Sequence, residues 1–571
     1  MYFEPTSSSS YNSLSVPRPC PIGVVPGREY CIISVLPVQT GRTHIQRYTI
    51  RIPVKPRRNF FIAILPFCLD LSSPLRRPVL IISLRPPPRR RIIINMSLYA
   101  LPYNGTEGEA DAGYSSGVTD LNVFYESGDL AWIMVCSALV LLMIPGVGFF
   151  YSGLARRKSA LSLILISMIC VGVVGFQWFF WGYTLTFSHT GSVFLGDMSN
   201  FGLKDVVAQP SVGSTKLPDI LFCLYQGMFA AITPALALGA IADRGRILPA
   251  MVFVFIWATI VYDPIAYWTW NGNGWLFTLG SLDFAGGTPV HISSGAAALA
   301  YSLMLGKRTG YTKLHGLPYR PHNVTHVVLG TVFLWVGWFG FNGGSALASN
   351  IRAVMACFNT NLAAGVAGLT WMLLDYRLEK KWSTIGFSSG AISGLVAITP
   401  GAGFVTPWAS VIFGIVGGVG CNFATKLKFV LGIDDGLDVF AVHGVGGIIG
   451  NVLTGIFAAS YIAALDGALE IDGGWIEQNY VQLGYQLAGS VAGFAWSFGL
   501  TCLILFLMNL VPGLSLRVNA DDEDLGLDDC QLGEFAYDYV EVTRHVSDLV
   551  SSSHDGGVGS SAHSSLPEKT V

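Results

Sequence analysis

The chain has 571 residues, 51% of them hydrophobic and only 12% charged, with 66 glycines and a formal net charge of −2. A soluble protein of this size carries about a quarter charged residues, so the composition excludes an ordinary soluble enzyme and points to a membrane class, with no nucleic-acid partner expected. The near-neutral total hides an asymmetry: residues 1–95 hold 14 Lys and Arg against Glu4, Glu29 and Asp70, while the remainder holds 33 acidic and 20 basic groups.

Residues 1–95 are rich in Arg, Pro and Ser. Their apolar stretches, Phe60–Cys68 and Val79–Leu84, are too short and too close to prolines to cross a bilayer. The Arg-rich, acid-poor composition resembles a transit peptide without a clear amphipathic helix. The expectation is that this segment is a non-native or disordered extension and that the working protein starts at Met96. Residues 96–129 then form a polar lead-in that carries the sequon Asn104-Gly105-Thr106.

A hydrocarbon core needs about 20 apolar residues per helix. Runs of that kind fall at 130–152, 160–184, 218–241, 248–268, 286–306, 325–347, 354–375, 384–401, 404–424, 438–460 and 484–511. This pattern predicts an all-α polytopic membrane protein with eleven transmembrane helices, so the two termini lie on opposite sides. Loops after the odd-numbered spans up to the ninth hold 14 Lys and Arg, among them Arg156, Arg244, Arg308 and Lys428; the alternate loops hold Lys204, Lys216 and Arg352. Cytosolic loops carry the positive excess, which puts the N-terminus outside and the C-terminus in the cytosol. Asn104 is then extracellular and open to glycosylation, whereas the sequon Asn323-Val324-Thr325 falls in a cytosolic loop as a chance match. Residues 512–571 form an acidic cytosolic tail. Its end, 545–571, reads as disordered, and its aromatic stretch Gly533–Tyr537 is suited to docking on the cytosolic face. The ten cysteines have no metal-ligand spacing and read as small buried hydrophobes, with no metal site or disulfide framework.

Ionisable groups at bilayer depth are costly and mark function. His291 in span 5 and His443 in span 10 are surrounded by small residues, including Gly286, Gly287 and Gly295 for the first and Gly444, Gly446 and Gly447 for the second. Each alone fits a hydrogen-bonded core residue. Two of them five spans apart point to a shared site and to internal repetition. Span 1 ends Gly148-Phe149-Phe150-Tyr151-Ser152-Gly153 and span 6 carries Trp338-Phe339-Gly340-Phe341-Asn342-Gly343. Five spans is an odd number, so a second copy enters the membrane inverted, as in many transporters. Asp283 lies at the outer mouth of span 5, suited to accepting backbone N–H bonds and, secondarily, to drawing in cations. Trp270, Trp275 and Trp338 lie near the outer interface, where an aromatic belt is the plain reading.

These stretches resemble the ammonium transporter (Amt/Mep/Rh) family over about residues 120–540. The motifs that carry the resemblance, in order, are Ile144–Gly153, Gln226-Gly227-Met228-Phe229-Ala230-Ala231-Ile232-Thr233, Asp283-Phe284-Ala285-Gly286-Gly287-Thr288, Trp335–Asn342 and Asp438–Val445. Trp268-Thr269-Trp270-Asn271 and Ala155-Arg156-Arg157-Lys158 are most like the fungal Mep-type permeases. The resemblance implies two inverted five-helix repeats plus a final helix, a homotrimer with one pore per subunit in the plasma membrane, and transport of ammonium and methylammonium without a cofactor. It implies roles as well. Trp270 and Ser345 form the outer recruitment site, with Asp283 shaping it and Trp338 as another wall. Phe229 and Phe341 close the pore beneath, and His291 and His443 line it and relay protons. Members with both histidines include permeases proposed as ammonium sensors. The alternatives are an Rh-like neutral gas channel, a non-transporting receptor, and a redox protein in which the two histidines are axial haem ligands.

Overall fold

Glycine sets how closely these helices approach. The computed structural model describes residues 30–34, 49–53, 121–311 and 320–537. Two units are separable by their internal contacts, 1–88 and 89–571. In the first, β1 (Tyr30–Ser34) pairs antiparallel with β2 (Thr49–Pro53), with Tyr30 opposite Pro53. Met96, the sequon at Asn104 and the residues after 537 lie outside the described residues.

The second unit is built from helices. The first half holds α1 (Ser127–Leu154), α2 (Ala160–Gln177), α3 (Tyr183–Phe187), α4 (Asp219–Ala237), α5 (Ile247–Trp257), α6 (Asp263–Trp270), α7 (Trp275–Leu279) and α8 (Ser293–Leu305). The second holds α9 (Val324–Gly344), α10 (Ile351–Glu379), α11 (Thr384–Ile398), α12 (Pro407–Ala424), α13 (Leu427–Leu431), α14 (Gly446–Phe457) and α15 (Ser460–Ala463). After them come α16 (Val481–Leu510) and α17 (Ala520–Leu525). Wider π turns interrupt the helices at Trp178–Gly182, Ala258–Tyr262, Gly287–Ile292 and Phe440–Val445. Among the described residues, nine helices are long and apolar enough to cross a membrane. Each of the eleven apolar runs falls on a helical segment; Thr384–Ile398 is one of the shorter ones. The helix surfaces expose Phe176, Val354, Phe423 and Phe506. Bands of such residues suit lipid or another apolar surface rather than water.

The first helices of the two halves, α1 and α9, lie against each other. A Cβ on Gly146 would come 2.9 Å from the Cβ of Phe333, and one on Gly330 would collide with the backbone of Phe150. Small residues permit this approach, and in lipid that packing replaces the hydrophobic drive available in water. Helix starts are satisfied by side chains: Asn323 accepts from His326 N at α9, Asn350 from Ala353 N at α10 and Ser383 from Gly386 N at α11. Asn323 of the second sequon is thus the cap of α9, and it also donates to Tyr537 Oη at 2.7 Å.

At the end of the bundle that gathers the basic loops, four charges are buried together. Arg308 donates to both oxygens of Asp434 at 2.8 Å and to Asp243 at 2.7 Å, while Arg156 lies 3.4 Å from Asp243. Arg244 donates to the backbone oxygens of Asp434 and Gly306. The loops that follow α1, α4, α8 and α13 are thereby tied at one point. The 512–537 segment packs onto the same end. The Asp528 carboxylate accepts from Leu161 and Ser162 N at the start of α2, and Glu523 accepts from Thr309 N and pairs with Arg517. Tyr537 lies over His326, with ring centroids 6.1 Å apart.

Burial works against the charge on Asp243, but the guanidiniums of Arg308 and Arg156 outweigh it and hold the carboxyl below the usual carboxylate range. Asp434 is likewise held low by Arg308 against its burial. Their stabilisation is therefore complete above the unfolded value of about 3.9 and is lost as pH falls through the lower folded values. Removing one member of a buried pair strands the other, at a cost of about 3–5 kcal/mol. Arg308→Ala is expected to lower the melting temperature in detergent at neutral pH. The deficit relative to the parent should shrink as pH falls into the carboxylate range, because both aspartates lose the cation that depresses them and the acid-dependent stabilisation goes with it. An unchanged melting profile would contradict this.

Candidate functional site

The two halves meet around His291 and His443. His291 lies in the π turn Gly287–Ile292 and His443 in the π turn Phe440–Val445, so both are presented by locally widened helix. Such turns are rare and occur mostly at functional positions. A Cβ on Gly295, one turn after His291, would collide with the backbone of Gly444 beside His443. Glycine at both places lets the two backbones touch, and the imidazoles come into register. His443 Nδ1 lies 3.3 Å from His291 Nδ1, with ring centroids 5.4 Å apart.

A hydrogen bond between two Nδ1 atoms needs one protonated and one bare nitrogen. In the neutral pair, the accepting ring carries its proton on Nε2 and the donating ring has a bare Nε2. The pair therefore offers one donor and one acceptor at its outer edges. His291 Nε2 is buried and has no hydrogen-bond partner among the described residues. The direct ring-to-ring bond leaves no room for a haem iron between the two Nδ1 atoms.

From His291 a column of rings leads to the surface. Trp338 stacks on His291 with centroids 5.5 Å apart, and Phe341 lies 6.0 Å from the same ring. Phe341 lies 4.3 Å from Phe229 with the rings tilted by 32°, and Phe229 meets Trp270 edge to face at 5.9 Å. Phe229, Phe341 and Trp338 are each 1% exposed, His291 1% and His443 5%; only Trp270 and Ser345 of this group are partly open. The open end is thus Trp270 and Ser345, and the two phenylalanines separate it from the histidines. Trp338 lies on the histidine side of that pair, deeper than the outer wall expected from the sequence. Its Nε1 donates to Thr399 Oγ1 at 2.9 Å, which fixes the indole.

Asp283 does not point at the column. Its Oδ1 accepts from Gly286 N and Gly287 N, and its Oδ2 from Thr288 N, at 2.7–2.8 Å, so the carboxylate closes the turn that starts the His291 segment. Its backbone oxygen accepts from Trp270 Nε1 at 3.1 Å. One residue thus sets both the histidine turn and the Trp270 ring. The flanking Leu282 is clamped by Gln486 of α16, which accepts from its N–H at 2.7 Å and donates to its oxygen at 2.6 Å.

Sequence reasoning missed several members. Tyr225 Oη lies 2.9 and 2.8 Å from the oxygens of Gly340 and Phe341 and 3.3 Å from Ser345 Oγ, and its ring is 5.0 Å from Phe229. Four residues before Phe229 on α4, it shares that helix face, and the spacing alone could have found it. Asn451, which donates to Thr288 Oγ1 and Ser490 Oγ, and Thr399 gave no such signal, because their partners come from distant helices.

Comparisons with known proteins agree with this geometry. The profile of the Ammonium Transporter Family matches residues 131–537. Ammonium transporter 1 of Schizosaccharomyces pombe is 61% identical over 434 residues, which cover 76% of this chain and 86% of that protein. Ammonium transporter MEP2 of Saccharomyces cerevisiae is 53% identical over 456 residues, covering 79% and 91%. The crystal structure of Candida albicans Mep2 superposes with a TM-score of 0.69 at 56% identity, covering 76% of this chain and 95% of that one. The chain therefore belongs to the ammonium transporter family, with the fungal Mep-type transporters.

Proposed function

We propose that this transporter captures ammonium at Trp270 and Ser345, removes a proton at the Phe229–Phe341 pair, and conducts ammonia along His291 and His443 while the proton moves separately. The observation that carries the reading is the ring column itself: it runs from a half-open indole to a buried imidazole pair without a charged side chain.

Energetics decide the form that passes. Moving a small cation from water into a low-dielectric interior costs on the order of 20 kcal/mol by the Born limit, and several kcal/mol after relaxation. An aromatic face returns about 0.5–2 kcal/mol, and the Ser345 hydroxyl adds one hydrogen bond. These suffice to concentrate ammonium at a half-hydrated mouth, not to carry it inward. Neutral ammonia avoids that penalty and can accept from, or donate to, the free nitrogens of the imidazole pair. The step balances as NH4+ going on as NH3 while His291 takes up its proton on Nε2, when that is the bare nitrogen of the imidazole pair. The proton crosses by the Nδ1–Nδ1 hydrogen bond, and the two recombine beyond His443, so one positive charge moves per cycle. Potassium has no proton to give up and stays outside.

The same reading places eleven helices in the plasma membrane, with the N-terminus outside and the acidic tail in the cytosol. It takes the chain as a homotrimer with a pore in each subunit, as the family resemblance implies. Methylammonium is expected to pass as a poorer analogue.

The test is ammonium-dependent current together with methylammonium uptake in cells lacking their own transporters. Saturable current that potassium does not evoke is expected from the full chain. His291→Ala combined with His443→Ala should abolish or alter that current at equal surface amount; unchanged current and selectivity in the double variant would refute the relay. Trp270→Ala should raise the KM for uptake roughly 2- to 30-fold, the span of one cation–π contact, and an unchanged KM would remove Trp270 from the capture site.

A further inference from the structure

Close to the capture site, a buried cation is already held between two aromatic faces. Arg352, near the start of α10, is 6% exposed. Its guanidinium carbon lies 4.9 Å from the ring centre of Phe284 and 4.8 Å from that of Phe404, and the two rings meet edge to face at 5.6 Å. Arg352 Nε donates to Gly403 O at 3.0 Å and Nη1 to Asp466 Oδ2 at 2.8 Å. Asp466 also accepts from Ala468 and Leu469 N through its other oxygen. The charge is thus paired, and one planar group joins the α10 start, the 400–405 turn and the loop at Asp466.

Phe284 is the residue after Asp283, whose backbone oxygen fixes the Trp270 indole. Three consecutive residues are therefore held by three different parts of the fold. Leu282 is held by Gln486 and Asp283 by the turn that its carboxylate closes. Phe284 is held by Arg352 and by its own N–H donated to Pro400 O at 3.0 Å. The first two clamps belong to elements around the His291 turn. The third reaches into α10 and the 400–405 turn, as the first reaches into α16.

We infer that Arg352 is a positioning residue for substrate capture: by stacking on Phe284 it holds the Asp283 carbonyl against Trp270 Nε1 and so sets the face that receives the cation. This rests on the reading of Trp270 as that face. Loss of the stack leaves the Gln486 clamp, the Asp283 carboxylate bonds and the Phe284 N–H bond to Pro400 in place, so the histidine turn keeps its shape while the Phe284 side, and through it the tilt of the indole, is held less firmly. The effect falls on affinity rather than on conduction. A lysine retains the charge for Asp466 but has neither a planar group to lie between two rings nor the fork of donors.

The experiment measures methylammonium uptake against concentration in transporter-deficient cells, with the surface amount of each variant quantified. The full chain is compared with W270A, R352K and F284L; the last keeps an apolar side chain and removes one π face. W270A tests the underlying reading by itself, since an unchanged KM there rejects Trp270 as the capture face whatever the others do. With W270A raised, R352K and F284L are expected to raise KM about threefold or more, with the maximal rate per surface molecule close to that of the parent chain. A parental KM in every variant that reaches the surface overturns the inference, as does a fall in maximal rate with KM unchanged. If R352K fails to reach the surface, F284L decides. Failure of both assigns the stack a purely structural role and overturns the inference as well.

Discussion

The cost of placing charge in a low-dielectric interior orders this molecule from end to end. Charges at the ends of the bundle are paired, as Arg308 is with Asp243 and Asp434, and the Asp283 carboxylate is held by three backbone N–H groups. What remains along the ring column is aromatic, aliphatic or imidazole. On the mechanism proposed above, such a passage is closed to any ion that keeps its charge and open to a molecule that can leave its proton at the mouth.

The second constraint is distance. Two imidazoles on different helices hydrogen-bond directly only if their backbones come closer than side chains normally allow. Gly295 and Gly444 supply that approach, and the π turns at Gly287–Ile292 and Phe440–Val445 turn the rings toward each other. The same economy of side-chain volume brings α1 against α9. High glycine content is thus the means by which these helices are held close together, with packing and not burial from water as the adhesive.

The outer site depends on a short run, Leu282 to Phe284, that contributes no side chain to the ring column. Gln486, the Asp283 carboxylate and Arg352 hold it from three directions. If Trp270 is the capture face proposed above, recognition by one indole is weak, and its orientation must be supplied by the surroundings. The residues that do this are polar and buried, and each satisfies its bonds to backbone or to a partner.

Much of the architecture was legible in the sequence, because hydropathy and loop charge report on lipid directly. The apolar runs fall on helices, and the rare histidines at bilayer depth stood out against a background with almost no ionisable groups. Asp283 read correctly as an acceptor of backbone N–H bonds, because a buried carboxylate must be satisfied. The column was only half visible. Phe229, Phe341 and Trp270 came from the motifs, whereas the depth of Trp338 below the phenylalanine pair, the Tyr225 hydroxyl on Ser345 and the stack of Arg352 on Phe284 and Phe404 did not. Arg352 read as a stray outer-loop charge, since its partners lie 68 residues before it and 52 and 114 after it in the chain. The sequence by itself determined which segments are membrane-soluble and which side chains are too costly to be there without purpose. Only the tertiary structure decided which of them touch, because ring stacking, shared protons and buried ion pairs join residues from separate helices, and no periodicity within one helix records its neighbour.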